Sequence, residues 1–255
     1  MATLSLLSSL QQSPYFDDYD ETKKFLRMLF QPGVSLQVRE LTQLQTILQN
    51  QISRLGDSFY KDGSIVTGGQ INLNTNVSYI RLASTETAST FANQKIQLSG
   101  ADTITFDVIT TVEAEGSDAP VLIGVYSGSD TITTTSATIH VAGSTGISAQ
   151  TADAGTITGD GSIASISAGI YYINGFFVTV DAQTIVLEKF ATTPSYKVGL
   201  TITESITNNV ADSSLLDNAS GSFNVNAPGA DRYKIALILG KKSLTTISEQ
   251  NFIEL

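Results

Sequence analysis

Cysteine is absent from this 255-residue chain, and histidine occurs once, at His140. Thiolate and imidazole are the ligands on which most transition-metal sites depend, so these scarcities exclude a disulfide scaffold and leave oxygen chemistry or none. Cationic side chains are also few: 14 Lys and Arg against 24 Asp and Glu give a formal charge of −10. That balance opposes a phosphate backbone, and the cations are scattered rather than gathered in a stripe, so no nucleic-acid partner is expected. No run approaches the roughly 20 apolar residues that cross a bilayer as a helix, so no membrane insertion is expected. Leu4, Leu6, Leu7 and Leu10 follow no basic residue and are interrupted by Ser8 and Ser9, which argues against a signal peptide.

The chain contains two compositional regimes. In roughly the first 60 residues, Leu41, Leu44, Leu48, Ile52 and Leu55 recur at steps of three and four, which predicts one apolar stripe on a helix. Gln43, Thr46, Asn50 and Arg54 face away from it. Ser35 is the expected N-cap and Gly56 the expected C-terminal stop. A shorter helix is predicted from about Asp18 to Phe30, its acidic start suiting the dipole, and Pro32-Gly33 separates the two. The heptad pattern fails at Gln51, within about two repeats, so an extended coiled coil is disfavoured. The stripe therefore packs on its own domain or on a neighbouring subunit.

From Ser64 onward Thr, Ser, Val, Ile, Gly and Asn dominate and the apolar period becomes two. Ile71, Leu73 and Val77, Ile80 and Leu82, and Ile104, Phe106 and Val108 predict short strands. In IYYINGFFVTV, Asn174-Gly175 lies between two β-rich runs, and both residues tolerate positive φ, so a two-residue hairpin is predicted. Further strands are predicted at 184–189, 198–204 and 232–239. The expected fold is mainly β with an N-terminal α-helical segment, its short antiparallel strands arranged in sandwich-like modules. The expected division is a helical region over 1–63, a β scaffold over 64–99 and 169–255, and an inserted Ser/Thr-rich β subdomain over 100–168. DTITF, DTITT and GTITG echo one another within the insertion but have no fixed repeat period.

Candidate chemistry is sparse. His140, alone in the strand-like TIHVAG, lacks the nucleophile elbow of a Ser-His-Asp triad; GSGSD at Gly128 does not fit that pattern. Glu113 and Glu115 alternate as a pair on a strand would, but acid pairs are common at exposed sheet edges. Asp17, Asp18, Asp20, Asp153 and Asp160 offer oxygen ligands without the spacing of a calcium loop, so no metal is assigned. Gly68-Gly69 lacks the lysine and helix start of a phosphate loop and is read as a turn or bulge. No catalytic residue and no cofactor is expected.

Two stretches carry a resemblance. One runs from Asp17 to Gly69 and includes Asp17-Asp18, Leu29-Phe30 with Pro32-Gly33, Arg39-Glu40-Leu41, Gln45 and Lys61-Asp62-Gly63-Ser64. The other runs from Asp212 to Leu237, including Asp217-Asn218-Ala219 and Ala227-Pro228-Gly229-Ala230-Asp231-Arg232, with the hairpin GIYYINGFFV upstream. Together they resemble an uncharacterised domain family found in structural proteins of tailed bacteriophages, including T4-like cyanophages. The resemblance implies a virion protein of the tail, at the baseplate or in a fibre. It further implies a homotrimer contacting other tail or baseplate proteins, with residues 1–63 as the attachment region. It carries over no catalytic residue. Family members usually run on past the apolar Asn251-Phe252-Ile253-Glu254-Leu255, so the gene product is longer or this strand completes a sheet with another subunit.

In the second stretch Asn218, Asn224, Asn226, Pro228 and Gly229 read as turn chemistry, and Leu215, Leu216, Phe223 and Val225 as core or interface. Arg232 is the expected partner of Asp231 or Asp217. The candidate interface residues are thus Leu41, Leu44, Leu48, Ile52, Leu55 and Arg232. A receptor- or glycan-binding tail module is the alternative function, and its sign would be aromatics on exposed loops. A capsule depolymerase would need the coil repeat of a β-helix, which is absent.

Overall fold

The computed structural model describes residues 10–98, 105–116, 118–127, 138–141, 150–151, 158–246 and 251–255. Leu4, Leu6, Leu7, Ile104, Gly128 and Asp153 lie outside them, as do the DTITT echo and the side chain of His140. The fold is mainly β, with one α-helix, α1 (Val38–Phe59), ahead of fourteen strands among the described residues. These are β1 (Ile65–Gly68), β2 (Ile71–Arg81), β3 (Lys95–Leu98), β4 (Thr105–Val112), β5 (Val121–Ser127), β6 (Thr138–Val141) and β7 (Gln150–Thr151). Then follow β8 (Thr158–Ile166), β9 (Gly169–Ile173), β10 (Phe176–Val180), β11 (Gln183–Glu188), β12 (Tyr196–Thr207), β13 (Arg232–Ser243) and β14 (Phe252–Glu254).

Three antiparallel sheets result. The largest has the order β11-β8-β2-β5-β4-β3-β6-β7, and the smaller two are β1-β9-β10 and β13-β12-β14. In the large sheet both faces are covered, so neighbouring residues enter different cores. Ile80 and Leu122 join Leu82, Phe91, Phe106 and Val108 in one cluster, while Tyr79, Val121 and Ile123 join Val77 and Ile163 in another. A strand buried on both faces reads as a continuous apolar run, as Val121-Leu122-Ile123 does. The two small sheets share a third core, in which Tyr171, Ile173, Val178 and Val180 meet Leu200, Ile202, Leu237 and Leu239. That is a sandwich.

The strands predicted from Ile71 to Leu82 form mainly one element, β2, irregular between Asn74 and Val77 where it pairs with β8. Residues 100–168, expected as an inserted subdomain, supply β4, β5 and β8 to the same sheet as β2 and β11 of the flanking scaffold. Their described part is therefore continuous with that scaffold. The Asn174-Gly175 hairpin is present: φ is 45° and 86° at the two residues, and Phe176 pairs with Ile173 across the turn. The predicted strands at 184–189, 198–204 and 232–239 are β11, β12 and β13. Gly68 and Gly69 have φ of 60° and 63° and turn the chain from β1 into β2. The C-terminal β14 pairs with β12 of its own chain, Leu200 opposite Ile253.

The outer edge of β13 has an unusual partner. The Gln183 side-chain amide donates to the Leu237 carbonyl and accepts from the Leu239 N–H, both at 2.9 Å. It reproduces the hydrogen bonds that a neighbouring strand would make.

Two helix expectations are corrected. The segment predicted as a helix from Asp18 to Phe30 holds only a 3₁₀ turn, Glu21–Lys23. The Asp20 carboxylate caps it by accepting from the Thr22 N–H at 2.9 Å, and Lys24 closes it in the left-handed region at φ 57°. Phe25, Leu26, Leu29 and Phe30 are all exposed, and a short helix with no buried apolar face cannot recover its nucleation cost. The long helix begins at Val38 rather than after Ser35, where the Gln37 N–H donates to the Glu40 carboxylate at 2.9 Å. It also runs past Gly56, which is a buried contact inside the helix rather than its stop.

Candidate functional site: the open face of the N-terminal helix

At about 100° per residue, α1 presents three faces, and the structure covers two of them. The first lies on the β9–β10 hairpin and is made of small and polar residues. Gly56 admits the Tyr172 ring: a Cβ there would lie 2.4 Å from a ring carbon. The Tyr172 hydroxyl donates within reach of the Ser53 carbonyl and the Asp57 carboxylate, each at 2.8 Å. Burial, reinforced by the bond to Asp57, raises the pKa of this phenol, so it stays a neutral donor. Gln49 donates to the Gly175 carbonyl at 2.7 Å. Tyr60, Tyr172 and Phe177 form an aromatic cluster, with Tyr172 and Phe177 centroids 5.2 Å apart.

The second face is strapped by the segment before the helix. Arg39 pairs with Asp18 at 3.0 Å, Arg54 pairs with Glu21, and Gln51 donates to the Leu26 carbonyl at 3.2 Å. The buried Asp17 accepts from the Thr46 hydroxyl and, at 3.1 Å, from the Tyr19 N–H. Ile47, with 2% of its surface accessible, is the one large apolar residue of α1 that is fully covered.

The third face is the stripe itself. Leu41, Leu44, Leu48, Ile52, Leu55 and Phe59 fall within a sector about 80° wide, directed away from the hairpin. Leu41, Leu48, Ile52 and Leu55 remain 43, 53, 46 and 62% exposed, and Phe59 74%; Leu44 is half-buried. On the strap, Phe25, Leu26, Leu29 and Phe30 are exposed as well. Fully covering one leucine or phenylalanine is worth about 1.5–3 kcal/mol. The most apolar face of α1 is therefore the one that the described residues leave uncovered. A contiguous open patch of this kind marks an interaction surface.

The remaining sequence candidates do not converge with the stripe. Arg232 was expected to meet a carboxylate, but its guanidinium donates to the Ala230 carbonyl at 2.7 Å and the Asp231 carbonyl at 3.4 Å. The carboxylate of Asp231 instead accepts from the Tyr15 hydroxyl at 2.6 Å, and that of Asp217 accepts from the Ala219 N–H at 2.8 Å. Phe223 and Val225 are exposed rather than core. Glu113 and Glu115 do not share a strand, since both follow the end of β4. The Glu113 carboxylate accepts from the Ser89 and Ala88 N–H groups at 2.7 and 3.0 Å, bonds that hold its pKa below the usual range. Asp18 and Asp20 are committed to the strap, and Asp160 is on β8. Among the described residues no group of three or more His, Asp or Glu could hold a metal ion.

Sequence reasoning missed Tyr172 as the anchor of α1 and Gly56 as the space it fills. A glycine within a heptad-like run is the one signal that pointed there. A family model described as a domain of unknown function, DUF4815, matches residues 13–155 and 149–249 of the chain. No curated protein and no solved structure matches it.

Proposed function

The chain belongs to the DUF4815 family, a domain of unknown function, and we propose that it is a structural protein of a bacteriophage tail. In this reading it connects or braces baseplate and tail fibre as a homotrimer, working by contact rather than catalysis. The observation that carries the reading is the open leucine face of α1, on a helix already fixed to its body by Tyr172 and the strap. Rigid seating and an uncovered apolar stripe are what an assembly contact requires, because little ordering entropy is lost when the partner arrives. The resemblance of Asp17–Gly69 and Asp212–Leu237 to tail structural proteins supports the virion setting.

The trimer is built through Leu41, Leu44, Leu48, Ile52 and Leu55, and the β sandwich is the rigid strut. The formal charge of −10 favours protein neighbours over nucleic acid. The experiment has two arms. Light scattering on the full chain is expected to give three times the 27.1 kDa chain mass, and peptide mass spectrometry of purified particles is expected to find the chain in the tail. A monomer at high concentration, or absence from the particle, overturns the proposal.

A further inference from the structure

A second feature lies on the opposite side of α1 from the stripe. A cleft of about 410 Å3 opens between the helix, the β9–β10 turn, the strap and the start of β13. Its size falls within the roughly 300–1,000 Å3 range of small-molecule sites. Phe176 and Tyr233 form an aromatic wall, their ring centroids 5.9 Å apart and their planes inclined at 49°, and Tyr19 lines the cleft as well.

The polar groups are mainly amides. Asn174 is held at the tip of the hairpin by its left-handed backbone, φ 45°, and by an N–H bond to the Asp62 carboxylate at 2.6 Å. The Nδ2 of Asn174 is buried without a hydrogen-bond partner. An unpaired buried donor costs about 1–3 kcal/mol, and no described residue supplies its acceptor. Asn50 joins it in the lining. Carboxamides both donate and accept, as a hydroxyl does. Charge, by contrast, is sparse: among the described residues no Lys or Arg lines the cleft, and Asp17 is the one acid. Both of its oxygens are engaged, by Thr46 and by the Tyr19 N–H. Among the described lining residues no cation is left to neutralise a phosphate or a carboxylate.

We propose that this cleft binds a neutral saccharide, with the sugar's C–H face against Phe176 and Tyr233 and a ring hydroxyl accepting from Asn174 Nδ2 once that side chain turns into the cleft. The assignment goes beyond the assembly role and does not depend on it. The test is saturation-transfer NMR on the full chain with maltotriose, N,N′-diacetylchitobiose and, as an acidic comparison, sialyllactose. The expected result is transfer to a neutral sugar at millimolar concentration or below. Asn174→Gly keeps the backbone conformation that the turn requires while removing the amide, and Asn50→Ala removes a second one. Each is expected to weaken binding about tenfold, the value of a lost hydrogen bond of about 1.4 kcal/mol, with circular dichroism and melting temperature retained. No transfer from either neutral sugar, transfer from sialyllactose alone, or a well-folded Asn174→Gly chain that binds like the parent overturns the proposal. Light scattering on the same samples reads the α1 assembly separately, so a sugar-blind trimer refutes the cleft alone and a sugar-binding monomer refutes the trimer alone.

Discussion

Leu48→Ala separates an assembly face from an ordinary surface leucine. Leu48 is 53% exposed in the single chain, and full burial of a leucine is worth about 2 kcal/mol, so covering what remains contributes about 1 kcal/mol per copy. Three copies lose about 3 kcal/mol in a trimer, roughly a hundredfold in the association constant. Within one chain the change is nearly silent, because alanine is the better helix former and the lost contacts are partial. Leu48→Asp adds the cost of burying an unpaired carboxylate, several kcal/mol per copy. Sedimentation velocity over a dilution series reads the assembly, and far-ultraviolet circular dichroism confirms that α1 persists. Because the midpoint of a three-body equilibrium moves with the square root of its constant, the expected outcome is a trimer that dissociates at about tenfold higher concentration for the alanine variant, and a folded monomer for the aspartate. If both variants keep the parental mass, the stripe is not the contact. If Leu48→Ala unfolds the chain, Leu48 belongs to the chain's own core rather than to a contact face.

Gly56→Ala would drive a Cβ into the Tyr172 ring, 2.4 Å from its nearest atom; overpacking of about 1–3 kcal/mol outweighs a helix-propensity gain of about 1 kcal/mol, and urea titration should show a lower midpoint. Tyr172→Phe deletes the hydroxyl bonds to Ser53 and Asp57, and the same titration should register a loss of about 1–2 kcal/mol. The Glu113 pKa is depressed in the folded chain by its bonds to Ser89 and Ala88, so its contribution is complete above the ordinary glutamate range and fades as pH falls through the lowered folded value. Glu113→Gln should therefore lower stability slightly at neutral pH, leave the most acidic end nearly unchanged and so flatten the acid limb of a stability-against-pH curve; an equally steep acid limb would contradict this. Arg232→Ala removes bonds to two exposed carbonyls and should cost under about 1 kcal/mol in melting experiments while impairing assembly; normal incorporation of that variant into particles counts against Arg232 as a contact residue.

What the sequence revealed, and what it hid, follows from how local each cause is. Asn174-Gly175 specified its hairpin because positive φ is a property of two residues. The strands around Phe106, Leu200 and Leu237 announced themselves by alternation. The joining of β2, β5 and β8 into one sheet depends on pairings between distant segments, and no local pattern records that. The stripe of α1 was legible as apolar, but its direction was not. Hydrophobic periodicity assigns the leucine face inward, whereas this helix seats itself through Gly56, Ser53 and Gln49, residues the same periodicity assigns to solvent. The cleft stayed hidden because its lining is gathered from four separate parts of the chain.

Gln183 has a consequence for how copies of this chain meet. A strand as long as β13 with a bare rim invites a stranger to lie alongside it and repeat the process without limit. One side-chain amide occupies the middle of that rim, and a newcomer would have to evict it before gaining its own bonds. Growth by stacking strands is thereby obstructed at this rim, and encounters are left to the faces that can close on themselves.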